Sequence, residues 1–506
     1  MLRRTFLRSV IGTGAVAGLG GLSSVLVARG APDGGLGWLA SPVNPHRRVL
    51  VVVRLFGGND GLNTLVPVND AEYYRLRRDK SHVDISIAPE IGIPIPNSSS
   101  LRFHPAMSGI STLYNEGKVA VVQGVGYPDM DLSHFRSTNI WLSASDSDVF
   151  KLDGWMGRFL EQRLASDSLD HSAPFAVELG PQLGRAFNGE HTAMGFAYTN
   201  HRFFSEEPGP SSNENNTADL EYLLREYRST GCRYLESISR SIDASSEPSA
   251  DYFREGGNMA PDLQTVSRCI RGGMATNMYI VHTGMFDTHH FQIQIHNEQL
   301  TEVCTNLLAF QRELERDNVD NRVTTLVISE FGRRAETNTS GTDHGTAGPV
   351  FLIGSSVNGG IHGVTPQVSD LDNDGNLRWH VDFRSVYASI LEQWFESKPT
   401  EYLPRVLHRP FPTLPLFRNA HHMHPPTISQ WPNPASTFVT VSVGNNFTGT
   451  ARLTIVDVSG QSRAVLDCQF VDGASTIDVR HLSQGAYIGN LSSFGGTAAF
   501  PLIIAR

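Results

Sequence analysis

SEFGRRAETNTSGTDHG, from Ser329 to Gly345, is a loop dense in charge and glycine held between two apolar runs. VTTLVI (Val323 to Ile328) stands before it and PVFLIG (Pro349 to Gly354) after it, and both have the β-branched composition of buried strands. A polar loop between buried strands is where α/β proteins place their chemistry. Asp343 and His344 at its end offer a hard oxygen and an imidazole, half of a metal site. Most Asp-His pairs are solvated loop residues, so this one gains meaning only from company elsewhere.

Working outward, the same pattern repeats. RRVLVVVRLFGGNDG carries the apolar run Val49 to Val53 into a glycine-rich loop with Asp60 at its mouth. MYIVHT (Met278 to Thr283) leads into Asp287, His289 and His290. A helix with Ile293, His296, Leu300, Val303, Leu307 and Phe310 at helical spacing follows, and would carry His289 and His296 on one face. KVAVVQG (Lys118 to Gly124) precedes the segment Ser133 to Trp141, and GGIHG places His362 after PVFLIG. Helices are also expected near 69–78, 106–116 and 218–242, and strands near 173–179 and 193–198. A linker at 204–216 and a cap or insertion at about 200–270 complete the body. Alternating strands and helices, with polar residues at the strand ends, predict a doubly wound α/β domain over 47–420, with helices on both faces.

Composition narrows the classes. A formal charge of −10 leaves no basic footprint for nucleic acid. No apolar run in the body reaches the roughly 18 residues that cross a bilayer. Four scattered cysteines permit at most two disulfides. Arg3-Arg4-Thr5-Phe6-Leu7-Arg8 and the glycine-rich apolar stretch behind it resemble a twin-arginine signal peptide over 1–31, which implies export as a folded protein and no transmembrane anchor once the signal is removed. After a linker at 421–434, short β-rich runs with turn signals predict an all-β, immunoglobulin-like sandwich at 435–506. Its Pro432-Asn433-Pro434-Ala435, VDVSGQ and HLSQGAYIGNL resemble the sorting domain of the type IX secretion system, implying that machinery as a partner; a plain adhesive domain is the alternative.

Asp60, Asp287, His289, Asp343, His344 and His362 therefore lie at successive strand mouths, about what two divalent ions need. FGGNDGLNTLVP, GVGYP, SHFRSTNIW, FDTH, ISEFGRR, GTDHG and GGIHG together resemble an exported bacterial family, domain of unknown function 1501 (DUF1501). The resemblance implies an alkaline phosphatase- and sulfatase-like core with two metals (zinc, manganese, magnesium or calcium) and those six ligands. Two departures stand out. Glu330 takes the place directly after the strand and the DH pair comes 13 residues later, so Glu330 is a rival ligand. The spacing to His289 is short, so His296 is its fallback. A nucleophile belongs at the start of the helix after the second strand, where Ser133, Ser137 and Thr138 are candidates and an N-cap is the plain alternative. Arg136 and Arg333 are candidates for holding an oxyanion. No cysteine stands in C-x-P-x-R, which tilts the expectation from sulfatase towards phosphoryl or other ester hydrolysis. The rival is a catalytically degenerate surface or envelope protein. Asp370 to Gly375 opens like an EF-hand loop but has Val381 at the twelfth position, so a turn is expected.

Overall fold

The computed structural model describes residues 48–78, 83–166, 172–199, 218–253, 257, 259–418, 428–443, 449–457, 461–471, 473–493 and 496–506. The signal segment and the 204–216 linker lie outside these residues. The chain divides into two compact units, one reaching Ile361 and resuming at Thr365–Trp379, the other formed by His362–Val364 and His380–Arg506.

The first unit is an α/β sheet. Its strands are β1 (Val49–Leu55), β2 (Val119–Gly126), β3 (Ala176–Leu179), β4 (Gly195–Tyr198), β5 (Met278–Thr283) and β6 (Val323–Ser329). A hairpin of β7 (Arg333–Thr337) and β8 (Thr342–His344) precedes β9 (Gly348–Ile353). The order across the sheet is β2-β9-β6-β1-β5-β3-β4. β1 is central because it is apolar on both sides. Val49, Val51 and Val53 join one core, while Leu50 and Val52, pointing the other way, are equally buried.

β1 pairs in parallel with β5 and β6, but β9 runs antiparallel to β6 and β2, so the sheet is mixed. The cause is local. A parallel return needs a crossover helix. Residues 330–347 instead form a loop and a hairpin that fold the chain straight back.

The helices include α1 (Ser108–Asn115), α2 (His134–Ser143), α3 (Ala218–Ala244), α4 (Met259–Arg271) and α5 (Gln292–Arg316), of which all but α4 stand near expected positions. Ile110, Leu113, Tyr234, Ile238, Leu263, Val266, Leu300, Leu307 and Phe310 from four of them share one core with β1. Full burial of each large apolar side chain contributes about 1.5–3 kcal/mol. Within the expected cap or insertion at about 200–270, residues between Tyr234 and Ile270 thus contribute to the core of the sheet.

In the second unit, Phe383–Ser389 forms a helix capped by the Asp382 side chain, and Trp394 stacks on Phe417 at 5.4 Å. Segment 383–417 groups here rather than with the sheet, so the division falls near residue 380 and not at the expected 421. Beyond it, a three-stranded sheet (Ile428–Trp431, Phe438–Val443, Ala474–Asp478) accompanies a four-stranded one (Gly449–Asp457, Ser462–Phe470, Gly485–Ser493, Gly496–Ile504). Val439, Val441 and Ile477 from the first share a core with Leu453, Ile455, Leu491 and Leu502 from the second, which is the sandwich expected. All four cysteines are unpaired. Among the described residues, no helix is long and apolar enough to cross a membrane.

Candidate metal centre

Strand register gathers the site. Leu55 at the end of β1 pairs with Thr283 at the end of β5 and with Ser329 at the end of β6. The loops that follow, at 56–60, 284–290 and 330–346, therefore leave one edge of the sheet at the same level. Two glycines let them touch. A Cβ on Gly57 would lie 2.2 Å from the Asp287 nitrogen, and one on Gly341 would lie 2.2 Å from the Thr288 carbonyl.

Four side chains converge there. His289 Nε2 lies 3.1 Å from His344 Nε2 and 3.1 Å from Asp287 Oδ1, and His344 Nε2 lies 3.2 Å from the same oxygen. His134 Nε2 lies 3.4 Å from Asp287 Oδ2. His134, Asp287 and His344 have ligand atoms within 4.8 Å of one another, a spacing able to hold a metal ion. The tighter triangle includes His289, and donors about 2.0–2.2 Å from one cation lie roughly 3.0–3.4 Å apart.

Each imidazole is oriented from behind. His344 Nδ1 faces the Leu132 carbonyl at 2.8 Å, His289 Nδ1 faces Asp343 Oδ1 at 2.9 Å, and His134 Nδ1 faces Glu330 Oε1 at 2.7 Å. These oxygens accept, so in the neutral form of each ring Nδ1 carries the proton and the Nε2 lone pair faces the cluster. Phe331 steadies two of the rings, with centroids 5.0 Å from His134 and 4.7 Å from His344. At the meeting point of His289, His344 and Asp287, the Nε2 lone pairs of the two neutral rings thus face a carboxylate oxygen that Arg333 holds in place. That is an environment for a cation.

Electrostatics agree. Burial pushes the Asp287 carboxyl up, but the Arg333 hydrogen bond and charge outweigh it and hold the group at about 2. Burial also lowers His344, favouring the neutral ring. His134 is the exception, because its hydrogen bond to the Glu330 carboxylate raises it and favours the protonated ring.

The other sequence candidates sit elsewhere. Asp343 orients His289 and Glu330 orients His134, so both stand behind the histidines. Asp60 is fully buried, paired with Arg77, and accepts from Gln292 and the Leu62 and Asn63 amides. His296 is not on a shared face with His289, because Phe291 at φ 53° delays the start of α5 to Gln292. It is buried instead, with Nε2 3.0 Å from Asn59 Oδ1 and its ring against His104. His362, half-buried on Gly360–Gly363, belongs to the second unit, whereas the cluster is built from the first alone.

Arg333 is completely buried and donates to the carbonyls of Gly57, Gly58 and Thr342 and to Asp287, which makes it a clamp on the loops. Arg136 turns to the carbonyls of Ser147 and Val149 at 2.7 and 2.8 Å. Ser137 is buried, donating to the Glu330 carbonyl at 2.5 Å and lying 2.8 Å from the Tyr127 hydroxyl. Thr138 accepts from Arg54 at 3.2 Å. Ser133, the exposed N-cap of α2, makes no side-chain capping bond. It stands between Leu132, which anchors His344, and His134. The Asp370–Gly375 segment is a turn in which Asp372 Oδ1 accepts from the Asp374 and Asn376 amides.

The member that sequence reasoning missed is His134. It occupies the first position of the helix after β2, beside the serine sought as nucleophile, and an imidazole at that strand mouth was the available signal.

The buried Asp60–Arg77 pair carries a stability prediction. Burial alone would raise the Asp60 carboxyl, but Arg77 outweighs it and the group is lowered from 3.8. Its contribution is therefore present above about pH 4 and lost as pH falls through the depressed folded value. Arg77→Met leaves the carboxylate buried and unpaired, and about 3–5 kcal/mol of unfolding free energy is expected to go, as read by urea denaturation at pH 7. Asp60→Asn is expected to flatten the acid limb of the stability curve.

A mixed α/β sheet with an imidazole–carboxylate cluster at its strand mouths, followed by a β-sandwich, is the class of protein these features define. The family described as Protein of unknown function (DUF1501) matches residues 119–394, more than half of the chain, and the protein belongs to it. Residues 429–505 match the Secretion system C-terminal sorting domain, so the sandwich is a sorting module that directs secretion. No curated protein matches the chain. Among solved structures, an alkaline phosphatase superfamily protein from Vibrio parahaemolyticus is 10% identical, with 91% of this chain and 83% of that one covered at a TM-score of 0.33. A protein of glycosaminoglycan metabolism from Bacteroides thetaiotaomicron is 9% identical over 84% and 90%, at 0.35. A sulfatase from Pseudoalteromonas sp. is 11% identical over 86% and 84%, at 0.31. Likenesses at these scores carry no argument about chemistry, which rests on the geometry above.

Proposed function

We propose that the protein is an exported metal-dependent hydrolase of phosphate, phosphonate or sulfate esters, with Asp287, His289 and His344 as ligands and His134 as a fourth. The observation that supports this most is the meeting of two imidazole Nε2 atoms and the Asp287 Oδ1, held by Arg333, within 3.1–3.2 Å of one another. Three imidazoles and one carboxylate suit zinc or manganese better than magnesium or calcium, which take mainly oxygen. A divalent ion there polarises an ester oxygen and eases deprotonation of a nearby hydroxyl. The chain's own residues orient the ligands: Arg333 holds Asp287, Asp343 holds His289, and the Leu132 carbonyl holds His344. Ser133, at the positive end of α2 and next to His134, is the nucleophile in this reading. Because Arg77 already neutralises Asp60, the proposal is one ion rather than two.

The second reading is a catalytically silent surface or envelope protein on the same fold. It is favoured by the commitment of Arg136 and Arg333 to backbone carbonyls, away from any oxyanion. Elemental analysis before and after chelation, with hydrolysis of the three ester classes measured on the same samples, separates the two. Bound metal with turnover supports the hydrolase; bound metal without turnover on any ester favours the silent protein. Absence of stoichiometric metal would sink the site itself.

Export is proposed to begin at the twin-arginine translocase and to finish through the type IX machinery. The sandwich has its own core, drawn wholly from residues between Ala435 and Ile504. A chain ending at residue 418 is therefore expected to melt like the parent α/β body but to stop short of the cell surface, as checked by thermal melting and cell fractionation.

A further inference from the structure

We infer that Gln292 is a positioning residue that sets the separation of the two ligand-bearing segments, 287–289 and 342–344. The inference rests on the proposed metal site and concerns how it is held.

The chain of contacts starts at Arg77. Its guanidinium engages both carboxylate oxygens of Asp60, and the Leu62 and Asn63 amides donate to Oδ1. Asp60 is thereby fixed and negatively charged. The Gln292 amide contacts Asp60 Oδ2, and because a carboxylate only accepts, the nitrogen must face it. The amide is therefore not free to flip, and its oxygen points away. That oxygen accepts from two hydroxyls, Thr288 Oγ1 at 3.2 Å and Thr342 Oγ1 at 2.6 Å.

The positions of these two threonines give the contact its meaning. Thr288 lies between Asp287 and His289, and Thr342 immediately precedes Asp343 and His344. One amide oxygen thus ties together the two segments that supply three of the four proposed ligands. The Thr342 amide also donates to the Thr288 carbonyl at 3.2 Å, so the segments touch at the same residues. Gln292 is the first residue of α5, whose Leu300, Val303 and Leu307 are set in the core of the sheet, and its own amide donates to the Ser340 carbonyl at 2.9 Å. Gln292, Thr342 and Thr288 are at most 1% exposed. Water does not compete for these bonds, and the ligand separation is referred to a rigid helix.

The test is a titration of the chelator-stripped full-length protein with Zn²⁺ and with Mn²⁺, alongside its thermal midpoint. Gln292→Met, similar in volume and without the acceptor, is expected to weaken metal affinity about 10–100-fold, the range for outer-shell partners. Thr342→Val is expected to do the same, and the double variant to lose less than the product of the single losses, because both remove one contact. A residue that only packs would lower the midpoint and leave the dissociation constant alone. Unchanged affinity in Gln292→Met overturns the inference; if that variant does not fold, unchanged affinity in Thr342→Val overturns it. A wild-type protein that binds neither ion overturns the metal site itself, a result read before any variant is made.

Discussion

His344→Ala is expected to strip the protein of its divalent ion and end ester hydrolysis while leaving the fold intact. His344 Nε2 is one corner of a triangle with sides of 3.1, 3.1 and 3.2 Å, and its Nδ1 is anchored 2.8 Å from the Leu132 carbonyl. Removing it takes away a ligand, so the loss of affinity should exceed the roughly 100-fold at the upper end for outer-shell changes. Asp343→Asn tests the division of labour between the two neighbours. As the partner that orients His289, Asp343 should cost only about 10–100-fold when changed. If Asp343 were itself a ligand, the two substitutions would be equally severe. The fold should tolerate both, because these side chains sit on the rim: His344 is 22% and Asp343 51% exposed. Metal content and calorimetric titration read the first quantity, and the melting temperature of the metal-free protein reads the second. A His344→Ala protein that keeps one tightly bound ion would end the proposal for this site.

Much of this was legible in the sequence, for identifiable reasons. Val49 to Val53, Met278 to Thr283 and Val323 to Ile328 are short β-branched runs followed by polar loops, and period and composition suffice to place such strands. The antiparallel sense of β9 was not legible, because it depends on the hairpin in which Arg333 pairs with His344. That Asp287, His289 and His344 would come together could be read from their places after strands. Which carboxylate would join the cluster and which would stand behind it could not. Asp60 and Asp287 both follow apolar runs, and only the fold brings Arg77 onto the first, from 17 residues away in sequence. The Leu132 carbonyl carries no sequence signal at all, since every residue has one. His134 was hidden by a different expectation, in which the start of α2 was reserved for a hydroxyl.

Ser133→Ala is expected to abolish turnover, by several powers of ten, with metal content and melting temperature nearly unchanged. Its location supports the role. Ser133 is exposed at the N-terminus of α2, where the helix dipole favours a developing alkoxide, and its side chain makes no capping bond. The usual cost of losing an N-cap, about 1 kcal/mol, should therefore not appear. Ser137→Ala is the contrasting case. Its hydroxyl donates to the Glu330 carbonyl and touches the Tyr127 hydroxyl in full burial, and removing it takes one buried bond from each. About 1–3 kcal/mol of stability should be lost there. Activity should fall only as far as displacement of Glu330 disturbs His134, whose Nδ1 lies 2.7 Å from the Glu330 carboxylate. Thr138→Ala, which releases one bond from Arg54, should be mild in both respects. One serine is then dead and stable, the other looser and still active. Full hydrolysis by Ser133→Ala would transfer the attack to Thr138 or to a water molecule, because Ser137 has no room to turn towards the cluster without giving up both of its hydrogen bonds.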